Sequence, residues 1–219
     1  LGLDVGAITP FERLTGLLGS VRALVSQMRM VPMRSLFAPL PRLVRQVADE
    51  LGKDVNLEIE GGEVEIDREV LEALRDPMVH ILRNAIDHGI ESPEGRKAAG
   101  KPAHGRIRIS AHQSGNRIQI HFTDDGAGIS LDSLVARAIR NGRLATAEAE
   151  RLTVAQKAQL VFLPGISTAK TVTGISGRGV GMDVVKSNVE RLGGNCHVET
   201  RDGQGVKLTA YGWVYTCND

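Results

Sequence analysis

The sequence has few aromatic residues, little net charge and no long hydrophobic run. Aromatic residues make up 3% of the 219-residue chain, so its core must be mainly aliphatic. The 27 Lys and Arg residues nearly cancel the 26 Asp and Glu residues, and a net charge of +1 gives no general electrostatic reason to bind nucleic acid or a membrane. No apolar segment approaches the roughly 18 residues that a membrane helix requires. We therefore expect a soluble globular protein with no nucleic-acid partner and no membrane insertion.

Cysteine is also scarce, with Cys196 and Cys217 as the two examples. Two isolated cysteines form neither a disulfide framework nor a metal site, so we expect a reducing, cytoplasmic location. The first residues do not show the basic and then apolar pattern of a secretory signal. Because residue 1 is leucine and not methionine, we expect the chain to be a fragment of a longer protein.

Helical and strand periodicities alternate along the chain. Apolar residues at helical spacing predict helices at about 11–30, 39–51, 68–88, 131–141, 154–162 and 182–192. We expect Pro77 to kink or divide the third of these helices. Alternating apolar and polar residues predict strands that pair as three hairpins, 55–59 with 64–66, 106–112 with 117–123, and 195–200 with 206–211. The pattern predicts an α+β fold with helices on one side of a mixed or antiparallel sheet.

One predicted helix carries a row of polar side chains opposite an apolar face. His80, Asn84 and His88 recur at intervals of four and share one helix face, with Asp87 beside them. A polar row inside a core is costly without partners. The row therefore indicates either a functional site or a solvated surface stripe, and this helix alone does not decide between them.

Three glycine-rich segments follow in the sequence. Asp124-Asp125-Gly126-Ala127-Gly128 comes directly after a strand, where a carboxylate can accept from an exocyclic amine and glycine lets backbone approach a flat ligand. Residues 176–182 precede a helix whose N-terminus can bind an anion, and they match neither a P-loop nor a Rossmann fingerprint. Gly203-Gln204-Gly205 is by itself a hairpin turn. Taken singly, the first segment is also consistent with an ordinary turn, and the second is also consistent with a flexible hinge.

In this order and spacing, the four elements resemble the N, G1, G2 and G3 boxes of the GHKL superfamily of ATPases and kinases. Residues 80–91, 162–168 and 176–185 are similar, more narrowly, to the kinase core of the CheA family of chemotaxis histidine kinases, and the resemblance covers about 28–210. It implies a two-layer α/β sandwich of the GHKL (Bergerat) type with a mixed, largely antiparallel sheet, preceded by a helical arm.

The resemblance also implies a role for each candidate residue. His80 would be the general base, Asn84 would hold Mg²⁺, and Asp124 would bind the adenine amino group of ATP. The residues implied in ATP binding are Asn84, Asp87, His88, Asp124, Gly126, Gly128, Arg137, Lys170, Gly177, Gly179 and Gly181. Arg137 and Lys170 are equally consistent with ordinary surface cations.

The family pattern further implies three segments and a set of partners. Residues 1–32 would be the remnant of a helical dimerization domain, 33–210 the ATP-binding histidine kinase domain, and 211–219 a divergent tail. The domain would transfer the γ-phosphoryl group of ATP to a His on a phosphotransfer domain, which then supplies response regulators. A chemoreceptor and a coupling protein would be reached through domains absent from this chain. The full-length protein would be a homodimer, whereas the loss of half the helical hairpin argues against dimerization of this fragment.

Two alternatives stay open at the level of sequence. GHKL ATPases usually carry Glu where His80 stands, so His80 favours phosphoryl transfer over ATP hydrolysis, but only by analogy. The family usually has Thr where Val206 stands, and this departure, with the unusual tail, motivates a non-enzymatic nucleotide-binding adaptor as the other alternative.

Overall fold

The computed structural model describes residues 10–115, 117–166 and 181–212. Its helices are α1 (Pro10–Met28), α2 (Arg34–Phe37), α3 (Leu40–Glu50), α4 (Arg68–Asn84), α5 (Pro93–Ala98), α6 (Leu131–Arg140), α7 (Thr146–Ala149), α8 (Val154–Gln159) and α9 (Met182–Arg191). A π-helical turn, Ala85–Gly89, follows α4, and a 3-10 turn, Leu160–Phe162, follows α8. The strands are β1 (Met30–Pro32), β2 (Val55–Glu60), β3 (Glu65–Asp67), β4 (Gly105–Ser114), β5 (Arg117–Asp124), β6 (Asn195–Arg201) and β7 (Gly205–Gly212).

Five of the strands form one mixed sheet in the order β2-β4-β5-β7-β6. The three pairings from β4 to β6 are antiparallel, and β2 lies parallel to β4 at one edge. The two predicted hairpins β4–β5 and β6–β7 are confirmed, with Ile109 opposite Phe122 and Val198 opposite Leu208. The sheet is therefore mixed and largely antiparallel, as predicted.

One face of this sheet is apolar and packs against the helices. On β4, Ile107 and Ile109 are buried, whereas the intervening Arg106 and Arg108 are exposed, because successive strand residues point to opposite faces. The buried strand residues form one hydrophobic core with apolar residues of α3, α4 and α9. The arrangement is a two-layer α+β sandwich with one open sheet face, which confirms the expected fold class.

The predicted pairing of residues 64–66 with 55–59 is wrong. Instead, β3 pairs antiparallel with β1, with Val31 opposite Ile66, in a separate two-stranded sheet. The chain leaves β2 through Gly61, whose φ is +78° and where an added Cβ would overlap the carbonyl of Ala111. Alternation identifies a strand but not its partner, and the partner here is a segment too short to show a pattern.

The long predicted helix at 68–88 ends differently from expectation. Pro77 does not divide it, because α4 runs from Arg68 through Pro77 to Asn84. The helical hydrogen bonding then widens into the π turn, which ends with the Ile90 N–H donating to the Ala85 carbonyl at 2.7 Å. At the start of α4, the Asp67 side chain accepts from the Glu69 N–H at 2.7 Å and caps the helix.

The predicted N-terminal helix is confirmed as α1, which presents apolar side chains to solvent. Leu14, Leu17, Leu18 and Val21 are each more than half exposed. None of the helices in the described part of the chain has the length and apolar character needed to cross a membrane.

Two substitutions on opposite faces of β4 test the two-layer arrangement. Ile109 is fully buried, so Ile109→Ala leaves a cavity and should lower the free energy of unfolding by about 2–5 kcal/mol. His112 lies on the open face, and His112→Ala should change it by no more than about 0.5 kcal/mol. Denaturant unfolding measures both. Similar losses for the two variants would contradict an open sheet face.

Candidate functional site

A pocket of about 160 Å³ lies between the C-terminal half of α4, the sheet and the start of α9. Apolar side chains form most of its wall, among them Ile81, Ile107, Phe122, Met182 and Val206. Of the residues selected from the sequence, Asn84, His88, Asp124 and Gly128 line it. Helix α4, the loop that follows β5 and strand β7 therefore meet at one cavity.

Asp124 supplies a buried carboxyl group to this pocket, with an exposed fraction of 8%. Its Oδ1 accepts from the Gly126 N–H at 3.0 Å and from the Val206 N–H at 3.3 Å. Burial raises the pKa of Asp124 from 3.8 to about 6, although these two hydrogen bonds act in the opposite direction. Within the described part of the chain, no donor reaches Oδ2. One oxygen is therefore fixed by backbone, and the other can accept from a ligand.

The glycines around Asp124 are required by close backbone packing. A Cβ on Gly126 would overlap the carbonyl group of Gly89, and the neighbouring Ala127 N–H donates to that carbonyl at 2.9 Å. Gly128 has a φ of +82°, and a Cβ there would lie 2.5 Å from the carbonyl oxygen of Arg201. The loop at 124–128 thus packs between the π turn and the β6–β7 turn. This packing alone requires its glycines, whether or not a ligand binds. Gly128 borders the pocket, whereas Gly126 is buried behind it.

His80 and Asn84 form the second polar group at the site. The Asn84 Nδ2 lies 2.9 Å from the His80 Nε2 and 3.6 Å from the Met182 sulfur. Burial lowers the pKa of His80, opposed in part by the negative charge of Asp183. The imidazole is therefore neutral near pH 7, with Nε2 as its acceptor nitrogen. In this amide orientation the Oδ1 of Asn84 is left for another partner.

The predicted row of polar residues is interrupted at the π turn. His80 and Asn84 keep the four-residue spacing of α4, but His88 belongs to the wider π turn. His88 lines the pocket, with its Nε2 3.4 Å from the carboxylate of Asp87. Asp87 is exposed and is not among the lining residues.

Sequence reasoning missed Lys53, which holds this π turn in place. Its ammonium group donates to the carbonyls of Ile86, Asp87 and Ile90, each at 2.7 Å. Burial lowers the pKa of Lys53, while Asp87 and Glu91 oppose that effect. A cation at the carbonyl end of a helix is favourable, but Lys53 lies more than 30 residues away in sequence, so no local pattern signals the contact.

The remaining predicted residues lie at or beyond the edge of the described site. The Arg137 guanidinium donates to the carbonyl of Ile166 at 3.0 Å and does not line the pocket. Gly181 is the N-cap residue of α9, directly before the pocket residue Met182. Lys170, Gly177 and Gly179 fall outside the residues that the structure describes.

Asn84 has one oxygen that can contribute to a Mg²⁺ site. Residues 10–115, 117–166 and 181–212 contain no cluster of three or more His, Cys, Asp or Glu suited to a metal. Mg²⁺ usually takes one or two protein oxygens and completes its shell with phosphates and water. The Oδ1 of Asn84 can serve as such a protein oxygen.

Residues 73–212 match the family of histidine kinase-, DNA gyrase B- and HSP90-like ATPases. The chain belongs to this family. The match runs from α4 to the end of β7, so every residue that lines the pocket lies within the matched range.

Three curated relatives of this chain are bacterial proteins named for chemotaxis or gliding motility. The chain is 45% identical over 194 residues to the chemotaxis protein CheA of Bacillus subtilis, covering 89% of this chain and 29% of the relative. It is 43% identical over 184 residues to CheA of Salmonella typhimurium, covering 84% and 27% respectively. It is 43% identical over 185 residues to the gliding motility regulatory protein of Myxococcus xanthus, covering 84% and 24%. The resemblance to CheA is confirmed, and the chain spans less than a third of each of these relatives.

Among solved structures, the mycobacterial sensor histidine kinase MprB matches with a TM-score of 0.48 and 17% identity, covering 83% of this chain and 94% of that one.

Two glycines of the β6–β7 turn provide a matched test of the packing around Asp124. Gly205 has a φ of +90°, and a Cβ there would overlap the Asp124 carbonyl, whereas Gly203 has a φ of +69° with nothing within 4 Å. Gly203→Ala should therefore cost about 1–2 kcal/mol of left-handed strain. Gly205→Ala should cost ~3 kcal/mol or more, because backbone must also move. Unfolding free energies compare the two, and equal costs would refute the close contact.

The raised pKa of Asp124 predicts a pH-dependent gain in stability for Asp124→Asn. A carboxyl pKa that rises from 3.8 to about 6 on folding costs the native state on the order of 3 kcal/mol when ionised. The cost is fully present above pH 6 and disappears as the pH falls toward 4, since the native state then holds the proton. Asparagine keeps the acceptor oxygen without the charge, so we expect ~1–3 kcal/mol more stability near pH 8.

The control for this pH profile is Asp202→Asn, on an exposed carboxylate in the β6–β7 turn. Denaturant unfolding between about pH 4 and 8 should show a pH-dependent difference for Asp124→Asn and a flat one for Asp202→Asn. A stability difference for Asp124→Asn that does not vary with pH would show that burial does not perturb this carboxyl group.

Proposed function

We propose that residues 33–210 form the ATP-binding catalytic core of a CheA-type histidine kinase. It transfers the γ-phosphoryl group of ATP to a histidine on a phosphotransfer domain. The observation that carries the proposal is the 2.9 Å contact between the His80 Nε2 and the Asn84 amide, beside a pocket that has Asp124 in its wall. Family ATPases that hydrolyse ATP usually carry Glu at this position, so a histidine favours transfer.

In this proposal the nucleotide lies across the pocket from Asp124 to Asn84. The free Oδ2 of Asp124 accepts a hydrogen bond from the adenine amino group, and apolar residues such as Phe122 and Met182 contact the ring. His88 and the Oδ1 of Asn84 face the phosphates. Mg²⁺, when bound there, would neutralise charge on the phosphates. The loop at 176–182 would supply further backbone donors, and Lys170 would supply a further cation.

His80 acts as the general base toward the attacking imidazole. Because burial lowers the pKa of His80, its Nε2 is free of a proton at neutral pH and can take one from the substrate. The present donor to Nε2 is the amide of Asn84, so the substrate N–H replaces Asn84 as the donor. An Asn84 amide released in this way can turn toward the phosphates.

The partners and the domain division are also part of the proposal. The resemblance to chemotaxis protein CheA supports a phosphotransfer domain and response regulators as partners. A chemoreceptor and its coupling protein would be reached through segments outside this chain, in the cytoplasm. Residues 1–32 would belong to a dimerization arm of the homodimer, consistent with the exposed apolar face of α1. The tail proposed for 211–219 begins inside β7, which pairs as far as Gly212.

His80→Gln tests the proposed chemistry. The substitution removes the base but keeps a hydrogen-bonding side chain, so phosphotransfer should fall by a factor of about 10² or more while ATP affinity is nearly unchanged. The assay mixes the chain with the phosphotransfer domain of a CheA relative and labelled ATP. His104→Gln, at an exposed position away from the pocket, should behave like the unchanged chain.

Three results would contradict the kinase proposal. The first is bound ATP with no labelled histidine in the unchanged chain. The second is rapid phosphate release without an acceptor, which favours an ATPase. The third is the absence of ATP binding, which favours the adaptor.

A further inference from the structure

A cluster of two cations and two carboxylates lies behind the Asp124 loop, and none of its members lines the pocket. Its centre is Arg96 on α5, a side chain with 0% of its surface exposed. The Nη2 of Arg96 lies 2.8 Å from the carboxylate of Asp125, and its Nη1 lies 3.1 Å from that of Glu91. Its Nε donates to the Pro102 carbonyl at 2.8 Å. All three nitrogens of the guanidinium therefore have protein partners.

Lys101 extends the cluster onto the backbone of the same loop. Its ammonium group lies 2.7 Å from Glu91 and donates to the carbonyls of Asp125 at 3.0 Å and Gly126 at 2.8 Å. Arg96 also donates to the Asp125 carbonyl, at 3.3 Å. The two cations thus hold the two residues that directly follow Asp124.

Burying this charged cluster is energetically unfavourable. Removing a guanidinium from water is costly, and an apolar group of similar volume is often as stabilising as a buried ion pair. Burial would raise the pKa of Glu91, but the hydrogen bond from Lys101 and the charges of Lys101 and Arg96 outweigh it and keep the pKa low. What the charged cluster provides, and an apolar one would not, is a defined position for the polar backbone of residues 125 and 126.

That position is transmitted directly to the Asp124 carboxylate. The Gly126 N–H donates to the Oδ1 of Asp124, and the carbonyl of the same residue is held by Lys101. The other oxygen of the Asp125 side chain accepts from the Arg106 N–H at 2.8 Å, which ties the loop to β4. A shift of this loop would move the Asp124 oxygen that is left for a ligand.

We propose that Arg96 and Lys101 are positioning residues that orient Asp124 and thereby set the selection of a 6-aminopurine over a 6-oxopurine nucleotide. The inference rests on the proposed function, because it needs an adenine ring in the pocket. Arg96 and Lys101 do not contact the nucleotide. They act through Asp125 and Gly126.

The test compares ATP with inosine triphosphate, which carries a carbonyl in place of the amino group. Calorimetric titration gives both dissociation constants for the unchanged chain and for Arg96→Met, Lys101→Met and Asp125→Asn. Loss of a positioning partner should weaken ATP binding by about tenfold or more. Inosine triphosphate lacks the amino donor at C6, so its affinity should depend less on the orientation of Asp124, and the preference for ATP, measured as the ratio of the two constants, should fall.

The matched control is Lys97→Met, which removes an exposed cation from the same helix and should leave both affinities unchanged. If a variant only loses stability, ATP and inosine triphosphate should both bind more weakly and the ratio of their dissociation constants should not change. That result would overturn the inference. If Arg96→Met does not fold, Lys101→Met and Asp125→Asn decide, since both side chains are partly exposed.

The outcomes separate this inference from the function on which it rests. If the unchanged chain binds no ATP, the proposed function fails and the inference fails with it. If the chain binds ATP but does not prefer it to inosine triphosphate, or if the folded variants keep the preference, the inference alone is overturned.

Discussion

The buried carboxylate of Asp124 is the constraint on which the rest of the site depends. A charged group with 8% exposure is unfavourable in the native state, and its raised pKa is the sign of that cost. The surrounding backbone reduces the cost by directing two N–H groups at one oxygen. That geometry requires glycine at two positions: Gly126, which packs against the π turn, and Gly205, which packs against the Asp124 carbonyl. Burial of this carboxyl group lowers the stability of the native state. In the proposed function, its other oxygen binds the ligand.

The second polar group, His80 with Asn84, belongs to a different layer of the fold. Asp124 ends a central strand, whereas His80 and Asn84 lie on α4, and the apolar core between these layers sets their separation. Cations outside the pocket hold each side: Lys53 fixes the π turn after α4, and Arg96 with Lys101 fixes the loop after Asp124. In the proposed function, recognition of the base and chemistry at the phosphates would thus lie on separate elements, each held by its own cations.

The sequence predicted structure best where the deciding interactions repeat within one helix or strand. Periodicity predicted the helices and the strands of the main sheet, because burial of one face imposes a repeat of 3.6 or 2 residues. It could not choose the partner of β3, since the pairing strand β1 spans three residues, Met30–Pro32. Nor could it predict the π turn, which depends on a lysine 33 to 37 residues earlier in the chain.

Residues of the candidate site could likewise be predicted only where a local sequence pattern indicates them. Glycine spacing and the polar row indicated Asn84, His88, Asp124 and Gly128, and the structure brings all four to one pocket. Arg96 lies in a segment without periodicity, and its role depends on tertiary contacts to Asp125 and Glu91. Conversely, Asp87, which adjoins the polar row, and Arg137, which the resemblance implied, do not line the pocket.

The most direct test of this account is the titration of the Asp124 carboxyl carbon by NMR, without and with bound ATP. Burial predicts a pKa of about 6 for the free protein. A hydrogen bond from the adenine amino group favours the ionised form, so the pKa should fall when ATP binds. An ordinary pKa near that of an exposed aspartate in the free protein, or a raised pKa that ATP leaves unchanged, would contradict the central claim that this carboxylate is held in the pocket to bind adenine.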